Sequence, residues 1–348
     1  MGEPSLGGAV PGHSTPPITV LIATRDRPES LARALRSVLA SRHRDFDFDV
    51  VVVDNAPTGD ATATMLAEEF ADEPRIRYVR ERRPGLARAH NAGLRVIDAT
   101  FVAITDDDVI VEPVWLEHIA AAFATSPRVV CVTGRIVAAE LVTPAQHWVE
   151  RHLGFSKGHQ RRTFDLGPNR PDDPLFPFTA GSLGSGANMS FRRSFLGEIG
   201  GFDPALGAGS RAKGGDDLAA FYEVMARGHQ LVYEPAAVVR HHHHRTYEQL
   251  DRQVRGYGVG LGAFLTKVVL ERPGSAAAML ARSAPAIRHL RSMRDPSLGT
   301  APAGAADVDF DDRFDRLHRI ERISTLAGPW SYVRSRWAVR NQPEGTFS

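Results

Sequence analysis

The first sustained apolar run, Ile18-Thr19-Val20-Leu21-Ile22-Ala23, lacks polar alternation and so predicts a strand buried on both faces. Pro28 then suits a first helical position, and Leu31, Leu35, Val38 and Leu39 recur at helical spacing, completing a β-α unit. The unit repeats. Val50-Val51-Val52-Val53, Ile76 to Val79, Phe101-Val102-Ala103-Ile104 and Val129 to Ile136 predict further strands, with helical patterns near 60–70, 86–97 and 114–124 between them. Such alternation points to an α/β domain with a mostly parallel central sheet flanked by helices. Beyond Glu140 the regularity fails, and residues 154–185 are dense in Gly, Pro, Arg and Asp. Order resumes from Gly186 to His244, with a helix near Asp216 and strand-like runs at Gln230–Tyr233 and Ala237–Val239. After Arg245 the pattern is helical, broken at Pro273-Gly274 and by an Ala/Pro/Gly-rich stretch at 296–305.

Three segments follow: a disordered tail at 1–17, an α/β domain at 18–245 and a helical C-terminal appendage at 246–348. The tail is rich in Gly, Pro, Ser and Thr and lacks the basic start and apolar stretch of a secretory signal. The best later apolar run, Val259 to Leu270, falls short of the ~20 residues that span a bilayer and is interrupted by Gly262 and Lys267. At 348 residues, 43% hydrophobic and 24% charged, the chain is neither a disordered nor a collagen-like polymer. Lys+Arg 42 against Asp+Glu 41 leaves no global field to gather nucleic acid, so any polyanion site must be local. A single cysteine, Cys131, sits in an apolar run, which fits a core thiol and a reducing, cytoplasmic setting.

Open α/β sheets bind ligands beyond the carboxyl ends of their strands, so the residues there carry the candidate chemistry. The first strand runs into Thr24-Arg25-Asp26-Arg27, the second into Asp54-Asn55 and the fourth into Thr105-Asp106-Asp107-Asp108. Asp and Asn also end strands and start turns, which would account for one such site but poorly for three. In the triplet, a period of two puts Asp106 and Asp108 on one side and Asp107 on the other. Carboxylates crowded at a strand end repel, and a divalent cation keeps them ionised together. Oxygen ligands suit Mg2+ or Mn2+, which in turn favour a phosphorylated ligand.

The order of motifs resembles family 2 glycosyltransferases of the GT-A fold over about Ile18 to His244. Ile18 to Arg27 resembles the family's first strand and donor loop, Val51-Val52-Val53-Asp54-Asn55 its base-contacting strand, and Pro84 to Gly93 its Gly…Ala-Arg-Asn segment. Gly186 to Arg193, Gly200-Gly201-Phe202-Asp203 and Gly214-Gly215-Asp216-Asp217 resemble its acceptor-side block. The resemblance implies a nucleotide-binding group of Thr24, Arg25, Asp26, Asp54, Arg88, Asp106 and Asp107. It makes Asp108 a direct metal ligand, with Asp106 facing ribose or metal, and assigns Gly186, Ala187 and Asn188 to the sugar and acceptor pocket. Physically, Asp54 can accept the N–H of uracil or thymine, and Arg88 at a helix start can reach a diphosphate or the Asp cluster, unless it faces solvent. By the same resemblance, Asp217 is the base, with Asp216 in place of a usual Glu; carboxylates at a helix start are also explained by capping. A histidine after the last core strand completes the metal shell in related enzymes, which favours His242, then His244, within His241-His242-His243-His244.

The basic stretch Arg240 to Tyr257, with Arg245, Arg252 and Arg255, suits an anionic acceptor, a membrane surface or simply a solvated face. The implied activity is inverting, metal-dependent transfer from a UDP-, TDP- or GDP-sugar to an acceptor hydroxyl, with lipid-linked acceptors included. The setting would be polysaccharide, glycolipid or other glycoconjugate synthesis, in the cytoplasm or at the inner face of the membrane. A sugar-phosphate nucleotidyltransferase should instead begin with a Gly-rich loop, and Thr24 to Pro28 holds no glycine. A non-catalytic nucleotide-sugar-binding module would not need Asp106, Asp108 and the Asp216-Asp217 pair together.

Overall fold

Apolar strands without alternation need cover on both faces, and the central sheet has it. The computed structural model describes residues 17–42, 46–152, 155–282 and 308–341; the remainder of the expected tail and the 296–305 stretch lie outside them. Strands β1 (Ile18–Thr24), β2 (Phe48–Asn55), β3 (Ile76–Glu81) and β4 (Phe101–Asp106) pair in parallel in the order β3-β2-β1-β4. Leu21, Val51, Val53, Val102 and Ile104 join one core with Ala87 and Ala89 of α3 (Leu86–Leu94). Their neighbours Val20, Ile22, Val50, Val52 and Ala103 join a second core with Leu31, Leu35 and Val38 of α1 (Pro28–Leu39). Helices α2 (Ala61–Glu69) and α4 (Trp115–Ala124) fall where the helical periodicity predicts.

Past β4 the sheet becomes mixed, since four of its eight pairings are antiparallel. Strand β8 (Asn188–Arg192) lies antiparallel between β4 and β6 (Val129–Ala138), reached through the long 154–185 connection instead of a crossover helix. The short strands β5 (Val109–Val111) and β7 (Arg162–Phe164) run antiparallel to β9 (Gln230–His241). Helices α5 (Pro144–His152), α6 (Arg193–Glu198) and α7 (Asp216–Ala226) complete the domain.

The two strand-like runs expected at 230–233 and 237–239 form one strand, β9, with an irregularity inside it. Its register against β6 slips where Gly134 opposes Glu234 but Arg135 opposes Val238. Pro235, Ala236 and Ala237 are left out of the ladder as a bulge, where Pro235 has no N–H to lose and the Ala236 N–H donates to Glu234 Oε1 (3.1 Å). The buried Asn188 amide fastens the bulge, donating to the carbonyls of Arg135 (3.1 Å) and Ala237 (2.9 Å) and accepting from the Trp115 indole (2.9 Å). Gly134 is required at this crossing, because a Cβ there would lie 2.2 Å from the Ala237 oxygen. Past the bulge, β9 continues parallel to β6 and ends with His241 beside both Ala138 and Val109.

After a Thr246/Gln249 capping box, α8 (Tyr247–Glu271) packs on α7, and α9 (Val308–Thr325) and α10 (Gly328–Arg340) pack on α8. Ala263, Phe264, Val268 and Tyr332 join the core shared by α3 and α7, so these helices dock directly on the sheet domain.

Replacing Asn188 by Ala strands two buried carbonyls and an indole N–H. A loss of about 2–4 kcal/mol is expected in chemical denaturation. Unchanged stability would mean that the bulge does not depend on this amide.

Candidate active site

Strand parity sorts the acidic residues at the end of β4. Val102 and Ile104 face the core shared with α3 and α7, so Asp106 emerges on that side, toward the start of α7. Asp107 turns the other way, onto the face of Thr24. The Thr24 hydroxyl donates to Asp107 Oδ2 (2.6 Å), and Arg27 Nη1 lies 3.2 Å from both Asp107 Oδ1 and Asp108 Oδ2. Arg27, just before α1, therefore ties the first loop to the triplet, a link that nothing local in the sequence signals.

Asp106, Asp108 and His241 each offer a ligand atom, all within 4.8 Å of one another. His241 Nε2 stands 3.2 Å from Asp108 Oδ1, while its Nδ1 lies 3.1 Å from His243 Nδ1, whose Nε2 reaches Glu150 at 3.2 Å. The expected order, His242 then His244, is not the arrangement formed. His242 reaches the triplet through its backbone N–H, which donates to the Asp108 carbonyl (3.0 Å), and its Nε2 has no hydrogen-bond partner among the described residues. His244 is half-buried and only electrostatically coupled to Asp108. The cause is β9, which runs on to His241 and pairs it with Val109, the residue after Asp108.

Burial and the Asp108 charge push the Asp106 carboxyl up to about 7. Burial opposes the charge on His241 and on Asp108, but their mutual attraction outweighs it, raising the imidazole and lowering the carboxyl. A buried carboxyl that stays protonated to neutrality is short of positive charge. Two hard carboxylate oxygens with one borderline imidazole nitrogen form an oxygen-rich donor set, and this set fits Mn2+ or Mg2+.

Helix α7 starts immediately after Gly215, whose φ of 88° and close approach to Gly260 exclude a side chain. Asp217 Oδ2 accepts from the Gly186 amide (3.0 Å) and Oδ1 from the Leu218 amide (2.8 Å). Neither Asp216 nor Asp217 is the N-cap. Asp216 is buried, and burial together with Asp217 pushes it up to about 7. Both carboxyls and Asp106 line a cavity of about 630 Å3, with Gly186, Ala187, His90, Lys157 and Tyr257. Burial lowers the Lys157 ammonium against the opposing pull of Asp217. Asn188, expected in this pocket, is turned into the sheet instead, where its amide is fully occupied by the bulge.

Farther along the edge, Asp54 stands in register with Thr24. Its Oδ2 accepts from the Tyr78 hydroxyl (2.9 Å), the Thr62 side chain also favours the anion, and burial outweighs both to raise the carboxyl. Asp26 (φ 54°) accepts from the Thr58 amide (2.9 Å) and hydroxyl (3.1 Å), bracing the loop, and Arg25 is exposed beside it. Arg88 is buried in the first turn of α3, so the solvent-facing alternative does not apply. Arg27, His241, Lys157 and Tyr257 are the additions that sequence reasoning did not supply. The first lay in the inspected loop, but its partners are some 80 residues away, a separation of 80 to Asp107.

Residues 19–200 match the sequence profile described as Glycosyl transferase family 2. Among curated proteins, the chain is 27% identical over 242 residues to a pre-mycofactocin glycosyltransferase of Mycobacterium tuberculosis, covering 68% of this chain and 46% of that protein. It is 24% identical over 203 residues to a glucosyl-dolichyl phosphate glucuronosyltransferase of Haloferax volcanii, covering 55% and 57% respectively. The chain thus spans about half the length of these relatives. A solved mannosyltransferase of Pyrobaculum calidifontis, in complex with GDP-Man and Mn2+, shares the fold with a TM-score of 0.52 at 18% identity, covering 96% of this chain and 77% of that one.

Raised carboxyl values set a pH dependence. Between about pH 4 and 7 the unfolded chain has released the Asp106 proton and the native chain retains it, so this residue's contribution to stability falls as pH rises and levels off above about 7. Wild type should lose stability relative to Asp106→Asn across that window in metal-free thermal melts, and Mn2+ should restore more of it at pH 7 than at pH 5. Parallel curves for the two proteins would contradict the buried, charge-starved triplet.

Proposed function

The chain belongs to glycosyl transferase family 2, and we propose that it transfers a sugar from a nucleoside-diphosphate donor to an acceptor hydroxyl by a single displacement that inverts the anomeric centre. The observation that carries this reading is that Asp106 of the metal-competent triad and the Asp217 carboxylate line one cavity.

In this mechanism the donor nucleoside lies along the ends of β2 and β1. Adjacent strands stand ~5 Å apart, so Asp54 and Thr24 span a base and part of its ribose. A carboxylate at Asp54 is of the type that accepts a ring N–H, as in uracil or thymine. A divalent cation held by Asp106, Asp108 and His241 would neutralise charge on the departing diphosphate. Arg27, already spanning Asp107 and Asp108, adds a fixed positive charge at the same place.

Asp217 is suited to take the acceptor proton. Burial raises its carboxyl while the Gly186 and Leu218 amides favour the anion, and it is more accessible than Asp216. As the acceptor oxygen bonds to the anomeric carbon, the carbon–phosphate oxygen bond breaks, its electron pair leaves with the nucleoside diphosphate, and the hydroxyl proton passes to Asp217. Phe178, Leu261, Leu265 and Met279 line the same cavity and favour an acceptor with an apolar portion, including a lipid-linked one. Among the described residues no helix is long and apolar enough to cross a membrane.

Asp217→Asn should lower turnover by ~10²–10⁴-fold, about 3–5 kcal/mol of barrier, with donor affinity nearly intact, whereas Asp216→Asn should not reproduce that split. Asp108→Ala should instead abolish the Mn2+-dependent part of donor binding. A thermal-shift panel of nucleoside diphosphates and nucleotide sugars, with and without Mn2+, reads the second effect and ranks the bases. The reading fails if no donor raises the melting temperature in either condition.

A further inference from the structure

Helix α10 carries its amphipathic pattern inside out. Gly328, Tyr332 and Ser335, spaced i, i+4 and i+7, face the protein, whereas Trp330, Val333 and Trp337, spaced i, i+3 and i+7, face solvent. Both tryptophans are about two-thirds exposed, at 67% and 69%, and just before them Ile323 and Leu326 are 60% and 80% exposed. A tryptophan that serves a core is buried, as Trp115 and Trp148 are in this chain. Exposed Arg319, Arg322, Arg334 and Arg340 accompany the apolar row, and from 316 to 341 the one acidic residue is Glu321, whose half-buried side chain stands beside His318. On a helical projection Arg334 and Arg340 flank the tryptophans on opposite sides.

We propose that this face docks the protein on an anionic lipid bilayer, with α10 lying in the interface plane. Tryptophan suits that boundary, since its ring is apolar and its single N–H reaches the headgroup layer. The flanking arginines meet phosphate headgroups while their stems extend the apolar surface. At 13 residues the helix is too short to span and long enough to lie flat. Charge argues against a second copy as the occupant, because among the described residues two such faces would set eight exposed arginines against only the two half-buried Glu321 side chains. The basic stretch Arg240 to Tyr257 is less suited, since Arg240 pairs with Glu112 (2.6 Å) and Arg245 with Glu140 (2.7 Å).

Vesicle co-sedimentation tests the proposal with no donor or acceptor present, so its outcome is independent of the transfer chemistry. The full chain should sediment with phosphatidylcholine vesicles containing phosphatidylglycerol, bind pure phosphatidylcholine weakly, and be released by high salt. Tryptophan emission should shift to the blue and become shielded from an aqueous quencher, a change only Trp330 and Trp337 can report because the other two are buried throughout. The double variant Trp330→Ser/Trp337→Ser should lose at least ~10-fold in partitioning, and Arg334→Gln/Arg340→Gln should lose the preference for anionic vesicles. Thermal melts verify that both variants are folded. Absence of sedimentation with either vesicle, undiminished binding by the tryptophan variant, or a dimer that this variant disperses without any vesicle binding would each overturn the proposal.

Discussion

Two carboxylates forced together at a buried sheet edge are the constraint around which this molecule is arranged. Asp106 and Asp108 follow a strand whose preceding residues are all core, so neither can retreat without unpairing β4 from β1 and β8. Their repulsion is only partly relieved by protein: Arg27 touches Asp107 and Asp108, and His241 touches Asp108, but Asp106 is left holding its proton to about 7. An added cation and an anionic ligand can enter such a place together, because each offsets the desolvation that the other would suffer alone. The same arrangement makes the strand pairing a condition of the chemistry.

The imidazole of that cluster depends on a defect in the sheet. Without the slip between Gly134 and Arg135, the register set by Gly134 and Glu234 would carry Val238, and no histidine, to the place that His241 holds opposite Ala138 and beside Val109. Asn188, Trp115 and Gly134 hold the bulge, though none of them touches the cluster. Asn91 plays a similar part nearby: its side chain both donates to and accepts from the Phe202 backbone (2.8 Å each), fixing the Gly200-Gly201 turn against α3. Asn55 accepts from the Gly85 amide and donates to the Arg83 carbonyl (2.9 Å each), setting the approach to that helix. Three asparagines within recognisable motifs thus act on the backbone of neighbouring motifs.

This explains which parts of the site were legible in the chain. The aspartate triplet was, because an apolar strand announced its position and period two sorted its side chains. The Asp216-Asp217 pair was marked out by the family resemblance, while its place at a helix start, taken alone, suited capping equally well. The histidine was not legible: four identical neighbours carry no local distinction, and the choice is made by a bulge whose partners are remote in sequence. Asn188 was placed in the pocket by resemblance alone, and its three distant partners, which turn it into the sheet, leave no local mark. Parallel alternation likewise described the first half of the sheet and failed where β8 arrives through an irregular connection.

The helical appendage bears on the cavity through a feature that composition alone made look like weakness. Gly256, Gly258, Gly260 and Gly262 together cost α8 about 3–4 kcal/mol of helix propensity relative to alanine. Alternate residues of a helix project nearly oppositely, so the four form two stripes. Gly256 and Gly260 meet the Lys213-Gly214-Gly215 turn that leads into α7, and Gly258 and Gly262 meet α9 and the start of α10. Close packing on both stripes offsets the propensity loss, and it leaves Tyr257, Leu261 and Leu265 between the stripes to line the cavity. The helix that forms the cavity wall is therefore the one against which the tryptophan-bearing helix is seated, only one helix diameter, ~10 Å, separating the two. Geometry of this kind lets one element serve both as a cavity wall and as the seat of a surface helix, with glycine spacing as its trace in the sequence.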